Sequence, residues 1–505
     1  MGWMTTMVSC FCLCSCFFED SNNAPSNSPA KKLAYSVKVS SQSGALRCSV
    51  FVKIENWPEA EPVVFQLPPY YPDNPRMPVP GVVSSRIHIE DAKGQSLSST
   101  PTTAPFNQGG GVWITLPSSA TTVSYEIDLD PADSTRFGVP IPGLKHGVQL
   151  LDGALLFILP AMGNSLSSHW RNPISLSLNW HIPGGNRLMG DSVLNLACNY
   201  QLMFYRGVLN PSSSLEFQVG NHQVTVYTTE AVDTLDLQGL AQRMNRWIPL
   251  VESHFSSLPW KHLWIGSNIN SVYGGLEGIG GYWFGTPYGS HAEVHLHEFT
   301  HSIVGVLLGE YDDAWFKEGV TEYFGLVMAV QDGFYTDTVE VRSYLQNLHD
   351  SVPSVIQYAL SDEVLRDRFY HDVDTDYVER PPQDFYSLLY GKGAEAAMQI
   401  DAWLLQNSAG KHDLFEAVRT LYNAGAPAFT RQQLNGVLQN LSGQRADTLL
   451  QSLCDKPGPY TVVQLQRAFS TLRTYDRFHA SSYTGVMAKR TAVSKSGFRK
   501  IPEKI

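Results

Sequence analysis

The sequence predicts an α+β protein of several domains: an N-terminal β-sandwich-like domain, a mixed α+β central domain and a helical C-terminal region. Three observations lead to this prediction. The chain has 505 residues, which corresponds to about three domains at roughly 150 residues each. Hydrophobic residues make up 43% and charged residues only 16%, so most of the chain can bury apolar cores rather than stay disordered. The hydrophobic pattern also changes from strand-like alternation to helical spacing near position 220.

The region 31–220 has the pattern of short β-strands. Apolar and polar residues alternate over Ser49–Glu55, Arg86–Glu90 and Ser175–Trp180, as expected for strands with one buried face. Clusters of proline and glycine separate these runs, and no helical periodicity intervenes. Short strands at this spacing predict a β-sandwich-like domain.

The region 221–425 mixes strands with helices, and 426–505 is mainly helical. Val224–Tyr227 and His262–Ile265 are short strand patterns. Between them, apolar residues at helical spacing mark one face of a helix: Leu237, Leu240, Met244, Ile248, Val251 and Phe255. Helical patterns dominate after Ala292. The basic tail, Lys489–Lys504, has no periodicity, and we expect it to be frayed.

The first 30 residues resemble an export signal followed by a polar tether. Met1–Phe18 is apolar, and Leu13–Cys16 resembles a bacterial lipobox. We therefore expect an exported protein that is anchored to a membrane through a lipid on Cys16, and a cytoplasmic protein otherwise. Three alternatives stay open: a metal-binding or disulfide-forming Cys-x-Cys run, a wrongly assigned start codon, and myristoylation at Gly2 with Thr6 in the motif.

The charge balance excludes nucleic acid as the main partner. The chain has 36 Lys+Arg against 47 Asp+Glu, a net charge of −11. Proteins that follow a phosphate backbone need a basic face, and no sufficiently long Lys/Arg run is present.

The segment His297-Glu298-Phe299-Thr300-His301 predicts a catalytic zinc site. On a helix, His297 and His301 are one turn apart on the same face, so both imidazoles can bind one Zn²⁺. Glu298 is then held near the open position of the metal, where it can accept a proton from water.

A catalytic zinc site needs a third protein ligand, and Glu318 and Glu322 are the candidates. They are separated by four residues on an otherwise apolar predicted helix, so one can bind the metal while the other accepts the free N–H of a ligating histidine. His291 and His295 have the same spacing, and we interpret them as the polar approach to the motif helix rather than as ligands.

These motifs resemble the gluzincin metallopeptidases, and more closely the glycyl aminopeptidase family than the aminopeptidase N and leukotriene A4 hydrolase group. The resemblance implies a thermolysin-like central domain, one zinc ion per chain and peptide substrates. It also implies that His297, His301 and Glu318 are the zinc ligands, with Glu322 as the orienting carboxylate.

Two further segments support the resemblance. Tyr273-Gly274-Gly275-Leu276-Glu277 is similar to the exopeptidase motif of the family, which implies that Gly274, Gly275 and Glu277 bind substrate, with Glu277 on its α-amine. The segment around Tyr390 is similar to one whose tyrosine hydrogen-bonds the oxyanion of the transition state.

Two departures from the family pattern limit the resemblance. Gly278 stands where the glycyl aminopeptidases usually have histidine, which weakens the prediction that the amine is recognised. We also expect no PDZ-like domain, since few β-patterned residues follow the helical region.

The sequence therefore predicts a zinc metallopeptidase and, more specifically, an aminopeptidase. Two alternatives stay open. The protein can be a zinc endopeptidase in which Glu277 only lines the groove, or a surface binding protein with a vestigial metal site.

Overall fold

The computed structural model describes residues 31–42, 45–57, 63–67, 70–71, 74–78, 87–103, 112–128, 149–160, 174–184, 187–189, 192–196, 200–211, 213–228, 237–267, 275–284, 292–308, 315–335, 338–352, 358–361, 387–425, 429–478 and 499–500. The export-signal and lipidation predictions, with Cys16 and Gly2, lie outside these ranges. So do Gly274 and His291.

The strands follow the N-terminal prediction and continue into the central region. They are β1 Lys32–Gln42, β2 Ala45–Glu55, β3 Val64–Leu67, β4 Tyr70–Tyr71, β5 Asn74–Pro78, β6 His88–Asp91, β7 Ser96–Leu97, β8 Thr100–Thr103, β9 Val112–Thr115, β10 Ala120–Asp128, β11 Gln149–Asp152, β12 Leu159–Pro160, β13 Ser175–His181, β14 Leu188–Met189, β15 Val193–Leu196, β16 Arg206–Leu209, β17 Ser213–Val219, β18 His222–Thr228, β19 His262–Ser267, β20 Gly275–Gly278, β21 Gly281–Phe284 and β22 Arg499–Lys500.

The α-helices lie mostly after residue 236. They are α1 Gly153–Leu156, α2 Leu237–Phe255, α3 Ala292–His301, α4 Trp315–Gln331, α5 Thr338–Ser351, α6 Gly393–Asn407, α7 Leu414–Asn423, α8 Arg431–Ser442, α9 Asp447–Cys454 and α10 Val462–Thr474. A 3₁₀-helix covers Tyr200–Phe204, and a π-helix covers Ser387–Lys392.

The N-terminal region is built on a seven-stranded sheet of order β15-β13-β1-β2-β10-β6-β7. A four-stranded sheet, β12-β3-β9-β8, supplies Phe65 and Ile114 to the same apolar core as Leu178 and Val50 of the large sheet. Because both sheets place alternate residues in one core, the predicted sandwich-like architecture is confirmed.

The central region contains a six-stranded sheet of order β20-β21-β19-β18-β17-β22. Strands β18, β19 and β21 run parallel, while β20 pairs antiparallel with β21 at the edge. This sheet already includes Ser213–Val219, before the predicted start of the central domain at 221. It also includes Arg499–Lys500 from the tail that we expected to be frayed.

The helices after β21 complete the central core and the C-terminal region. One apolar cluster runs from Leu215 in β17 to Phe478 beyond α10, so the sheet and the helical region share a core. Helices α4 and α6 approach closely at two glycines: a Cβ on Gly319 would lie 2.5 Å from the Cα of Gly393. In the described part of the chain, no helix has the length and apolar character needed to span a membrane.

Candidate metal centre and active site

Helices α3 and α4 bring the histidine motif and the acidic pair together. α3 is buried along nearly its whole length, and α4 is mostly apolar. A Cβ on Gly325 of α4 would lie 2.7 Å from the carbonyl oxygen of Glu293 and 3.1 Å from the backbone nitrogen of His297. The two helix backbones therefore touch here, which brings the acidic face of α4 against the histidine face of α3.

Three side chains converge at this contact. The Nε2 atoms of His297 and His301 are 2.9 Å apart, and Glu318 Oε2 lies 3.2 Å from His301 Nε2 and 3.7 Å from His297 Nε2. One ligand atom from each residue lies within 4.8 Å of the others, and all three residues are buried. Two imidazole nitrogens and one carboxylate oxygen form the usual protein ligand set of a catalytic zinc site.

The contacts of the two imidazole rings indicate that the cluster needs a cation. His301 Nδ1 lies 3.1 Å from the carbonyl oxygen of Val304, and His297 Nδ1 lies 2.9 Å from Glu322 Oε2. A proton on each Nδ1 thus has an acceptor beside it, which leaves both Nε2 atoms as lone-pair donors, close to each other and to Glu318 Oε2. Three acceptors in one buried place repel each other unless a positive charge lies between them, so the donor set fits Zn²⁺.

The electrostatics of His297 and Glu318 lead to the same conclusion. Burial lowers the pKa of His297, but Glu318 and Glu322 outweigh it and hold the pKa well above its usual value. Burial raises the pKa of Glu318, yet His301 and Lys317 hold it well below the usual range. Positive charge is therefore favoured at His297, and negative charge at Glu318.

Glu298, the predicted base, lies beside this centre against strand β20. Burial raises the pKa of its carboxyl to about 7, although His297 and His301 oppose the shift. A Cβ on Gly275 would lie 2.3 Å from Glu298 Cδ. Gly275 was predicted to bind substrate, and the structure places it where only a glycine leaves room for the Glu298 carboxylate.

Glu322 lies behind His297, in the position expected of an orienting carboxylate. The Tyr344 hydroxyl of α5 donates a hydrogen bond to Glu322 Oε1. Burial tends to raise the pKa of Glu322, but its contacts with His297 and Tyr344 lower it overall. A chain of contacts thus runs from Tyr344 through Glu322 to His297.

Tyr390 lies on the other side of His297, on the π-helix. Its ring stacks on the His297 ring with centroids 5.8 Å apart and an angle of 15° between the planes. Burial raises the pKa of Tyr390, and the Glu318 and Glu298 carboxylates raise it further, so the phenol stays protonated and able to donate. Inserted π turns occur frequently at functional sites, and no sequence pattern predicted this one.

Glu277 is on β20 and is already paired with a cation. Lys317 Nζ lies 2.7 Å from Glu277 Oε1 and 3.4 Å from Glu318 Oε1. Burial raises the pKa of Glu277, but Lys317 and His301 outweigh it and lower the pKa to about 2. The carboxylate is ionised beside the metal centre, and its partner Lys317 was not foreseen from the sequence.

The glycine at position 278, where the glycyl aminopeptidases usually have histidine, has a steric explanation. A Cβ there would lie 2.7 Å from the Trp264 ring and 2.9 Å from Arg206 Cγ. Trp264 and Arg206 occupy the space that a histidine side chain would need.

The interpretation of His295 as part of a polar approach is wrong. Its side chain is fully buried, its Nδ1 lies 2.9 Å from the Tyr282 hydroxyl, and its ring packs against Phe284 and Trp247. Because its position on α3 is two residues from His297, it lies on a different face of the helix, toward the six-stranded sheet.

Sequence reasoning also missed Tyr344 and Lys317. Tyr344 lies on another helix with no motif around it. Lys317 directly precedes Glu318, and its position could have predicted an acidic partner. A lysine beside a metal-ligating glutamate on an apolar helix is buried and needs a counter-charge of its own.

Comparison with protein-family models and with curated proteins gives no match, but solved structures do match. One is an aminopeptidase N family protein from Idiomarina loihiensis, with a TM-score of 0.58 and 14% identity over 86% of this chain and 78% of the other. A second is yeast LTA4 hydrolase in complex with bestatin, with a TM-score of 0.56 and 16% identity over 86% and 68%. A third is a mutant M1 zinc metallopeptidase from Deinococcus radiodurans bound to a Tyr-Ser-Ala substrate, with a TM-score of 0.50 and 13% identity over 86% and 95%.

The chain thus shares its fold with these structures, which confirms the predicted fold class. The closer resemblance to the glycyl aminopeptidases stays a prediction.

Proposed function

We propose that this chain is a zinc-dependent metallopeptidase that hydrolyses peptide bonds. The observation that carries the proposal is the convergence of His297, His301 and Glu318 in one buried cluster next to Glu298. The structures that share the fold support it, since one of them is a zinc metallopeptidase bound to a peptide substrate.

His297, His301 and Glu318 would hold the zinc ion. A bound Zn²⁺ polarises a carbonyl group and makes water more acidic. Glu298 accepts the proton of the attacking water and returns it to the leaving amine. A general base works best with a pKa near the working pH, and burial raises the pKa of this carboxyl above its usual value.

The phenolic O–H of Tyr390 donates a hydrogen bond to the oxyanion that develops on the substrate carbonyl. The ring is fixed against His297, and the raised pKa keeps the proton on the phenol. A fixed donor directed at developing charge contributes about 3–4 kcal/mol in comparable sites.

The finer proposal is aminopeptidase activity, in which Glu277 binds the α-ammonium of the first substrate residue. Its ionised carboxylate on β20, next to the metal centre, favours this activity. One observation favours the endopeptidase alternative instead: Lys317 Nζ already lies 2.7 Å from that carboxylate.

The test of the general proposal combines metal analysis with peptide hydrolysis. Protein purified without chelator should contain one zinc ion per chain, and His297→Ala should lose it. Glu298→Gln should keep the zinc and lose roughly 10²- to 10⁴-fold in kcat, because only proton transfer is removed. Glu340→Gln, an exposed glutamate on α5, is the matched control. Absence of zinc, or full activity of Glu298→Gln, would contradict the proposal.

A further inference from the structure

Lys317 is held in place from four sides. Its ammonium lies 2.7 Å from Glu277 Oε1 and 3.4 Å from Glu318 Oε1, and 5.3 Å above the Phe204 ring. Its methylene groups lie over Gly305, where an added Cβ would be 3.0 Å from Lys317 Cε. Only 16% of the side chain is exposed. Contacts on both the stem and the charge fix this side chain, so it is not a mobile surface lysine.

The position of this ammonium matters because two carboxylates already share it. Glu277 is the residue proposed to bind the substrate's α-ammonium, and Glu318 is the proposed zinc ligand. A substrate ammonium that approaches Glu277 would meet a second ammonium a few ångströms away, in a site where burial weakens solvent screening. It must displace Lys317 from a charge-assisted hydrogen bond or remain next to a like charge.

We infer that Lys317 is a specificity-determining residue. Its ammonium occupies the place beside Glu277 where a substrate α-ammonium would bind, so the preferred ligands present a neutral amide nitrogen there. Such ligands are N-acylated amino acids and internal peptide segments. An amide nitrogen carries no charge to repel Lys317, and the Glu277–Lys317 pair stays intact beside it. This inference rests on the general proposal of a zinc metallopeptidase, because it assumes that ligands bind at the zinc centre, and it adopts the endopeptidase alternative in place of aminopeptidase activity.

The inference predicts opposite behaviour for two substitutions at one position. Lys317→Arg keeps the positive charge and should keep the preference for amides. Lys317→Met keeps most of the stem over Gly305 and Phe204 but removes the charge, which frees Glu277 for a ligand ammonium. Lys317→Gln is a second neutral variant for use if the methionine variant is unstable.

The experiment measures Kd for leucine hydroxamate and N-acetyl-leucine hydroxamate on the zinc-loaded full chain by calorimetry. The two ligands share the zinc-binding group, so the ratio of their Kd values on one variant is independent of that variant's zinc affinity. Wild type should bind the acetylated ligand more tightly. Lys317→Met should shift the ratio about 10- to 100-fold toward the free amine, the range expected for one hydrogen bond to a charged group. Lys411→Met, an exposed lysine after α6, controls for the loss of a positive charge elsewhere.

Two outcomes would overturn the inference: a wild-type preference for the free amine, or an unchanged ratio in both neutral variants. Hydrolysis of leucine arylamide, its N-acetyl form and an internally quenched peptide is measured in parallel. If wild type binds the hydroxamates but hydrolyses none of these substrates, the proposed function fails, while the Kd ratios still decide the role of Lys317.

Discussion

The core of the N-terminal sheet and the contact between α3 and α4 are equally inaccessible to water, but they contain different chemistry. Leu178 and Val50 in the sheet are fully buried among apolar neighbours. At the helix contact, His301 is 2% exposed and Glu318 4%. Burial of the first pair stabilises the fold by about 25 cal/mol for each Å² removed from water. Burial of the second pair costs free energy unless the charges are compensated.

This contrast distinguishes residues that stabilise the fold from residues that contribute to the chemistry of the metal centre. The sheet core needs no partner outside the chain. The helix contact holds acceptors that need a cation, so its stability should depend on the metal.

Zinc removal should have the largest effect on stability. With free zinc at about 1,000 times its Kd, binding stabilises the folded state by about 4 kcal/mol. Chelation should lower the free energy of unfolding by that amount, as measured by urea denaturation with and without added zinc. Glu318→Ala should make the protein insensitive to zinc. Equal stability of the zinc-loaded and chelated wild type would mean that the acceptors are compensated within the chain.

The matching change in the sheet is Leu178→Ala. It removes a fully buried side chain from strand β13 and should cost about 2–5 kcal/mol of unfolding free energy. Zinc content and kcat per folded molecule should stay the same, because the substitution leaves the α3–α4 contact intact. Loss of zinc from the folded variant would show that the two regions are coupled.

The two regions also differ in how far the sequence predicted them. Alternation over Ser175–Trp180 predicted a strand with one buried face, because a local pattern determines which face is buried. The His297–His301 spacing predicted the ligand pair for the same reason, since one helical turn brings residues i and i+4 together.

Contacts between distant segments leave no such pattern. The Lys317–Glu277 pair joins β20 to α4, Tyr344 reaches Glu322 from a third helix, and Tyr390 depends on a π-helical turn. His295 has i, i+4 spacing with His291 but faces the sheet, so spacing alone did not indicate its surroundings.

A buried carboxyl away from the metal centre provides a pH test. Glu395 on α6 is 2% exposed, and its Oε1 lies 2.7 Å from His349 Nδ1. Burial raises its pKa from 4.5 to about 7, although His349 and Lys392 oppose the shift. A folded-state pKa above the unfolded value means that stability is present at low pH and is lost as pH rises toward about 7.

The variant Glu395→Gln should therefore be more stable than wild type at pH 8. The difference should reach about 3 kcal/mol at most, at about 1.4 kcal/mol per pKa unit, and should shrink by pH 5. Urea denaturation of both proteins at the two pH values measures it. Parallel pH dependence in the two proteins would show that the pKa of Glu395 is the same in the folded and unfolded states, and so is not raised by burial.

The smallest expected effect is that of Tyr344→Phe, which removes one hydroxyl from the chain Tyr344–Glu322–His297. The phenol donates to Glu322, whose other oxygen lies 2.9 Å from His297 Nδ1. Loss of a carboxylate that directly orients a metal-binding histidine typically lowers metal affinity 10- to 100-fold, and we expect that loss for Glu322→Ala. Tyr344 acts one step further away, so its loss should weaken zinc binding by about 10-fold or less. Competition with a chelator of known affinity measures both variants, with Tyr422→Phe on α7 as the control. If Tyr344→Phe lowered the affinity as much as Glu322→Ala, the hydroxyl rather than the carboxylate would be the main constraint on the His297 ring.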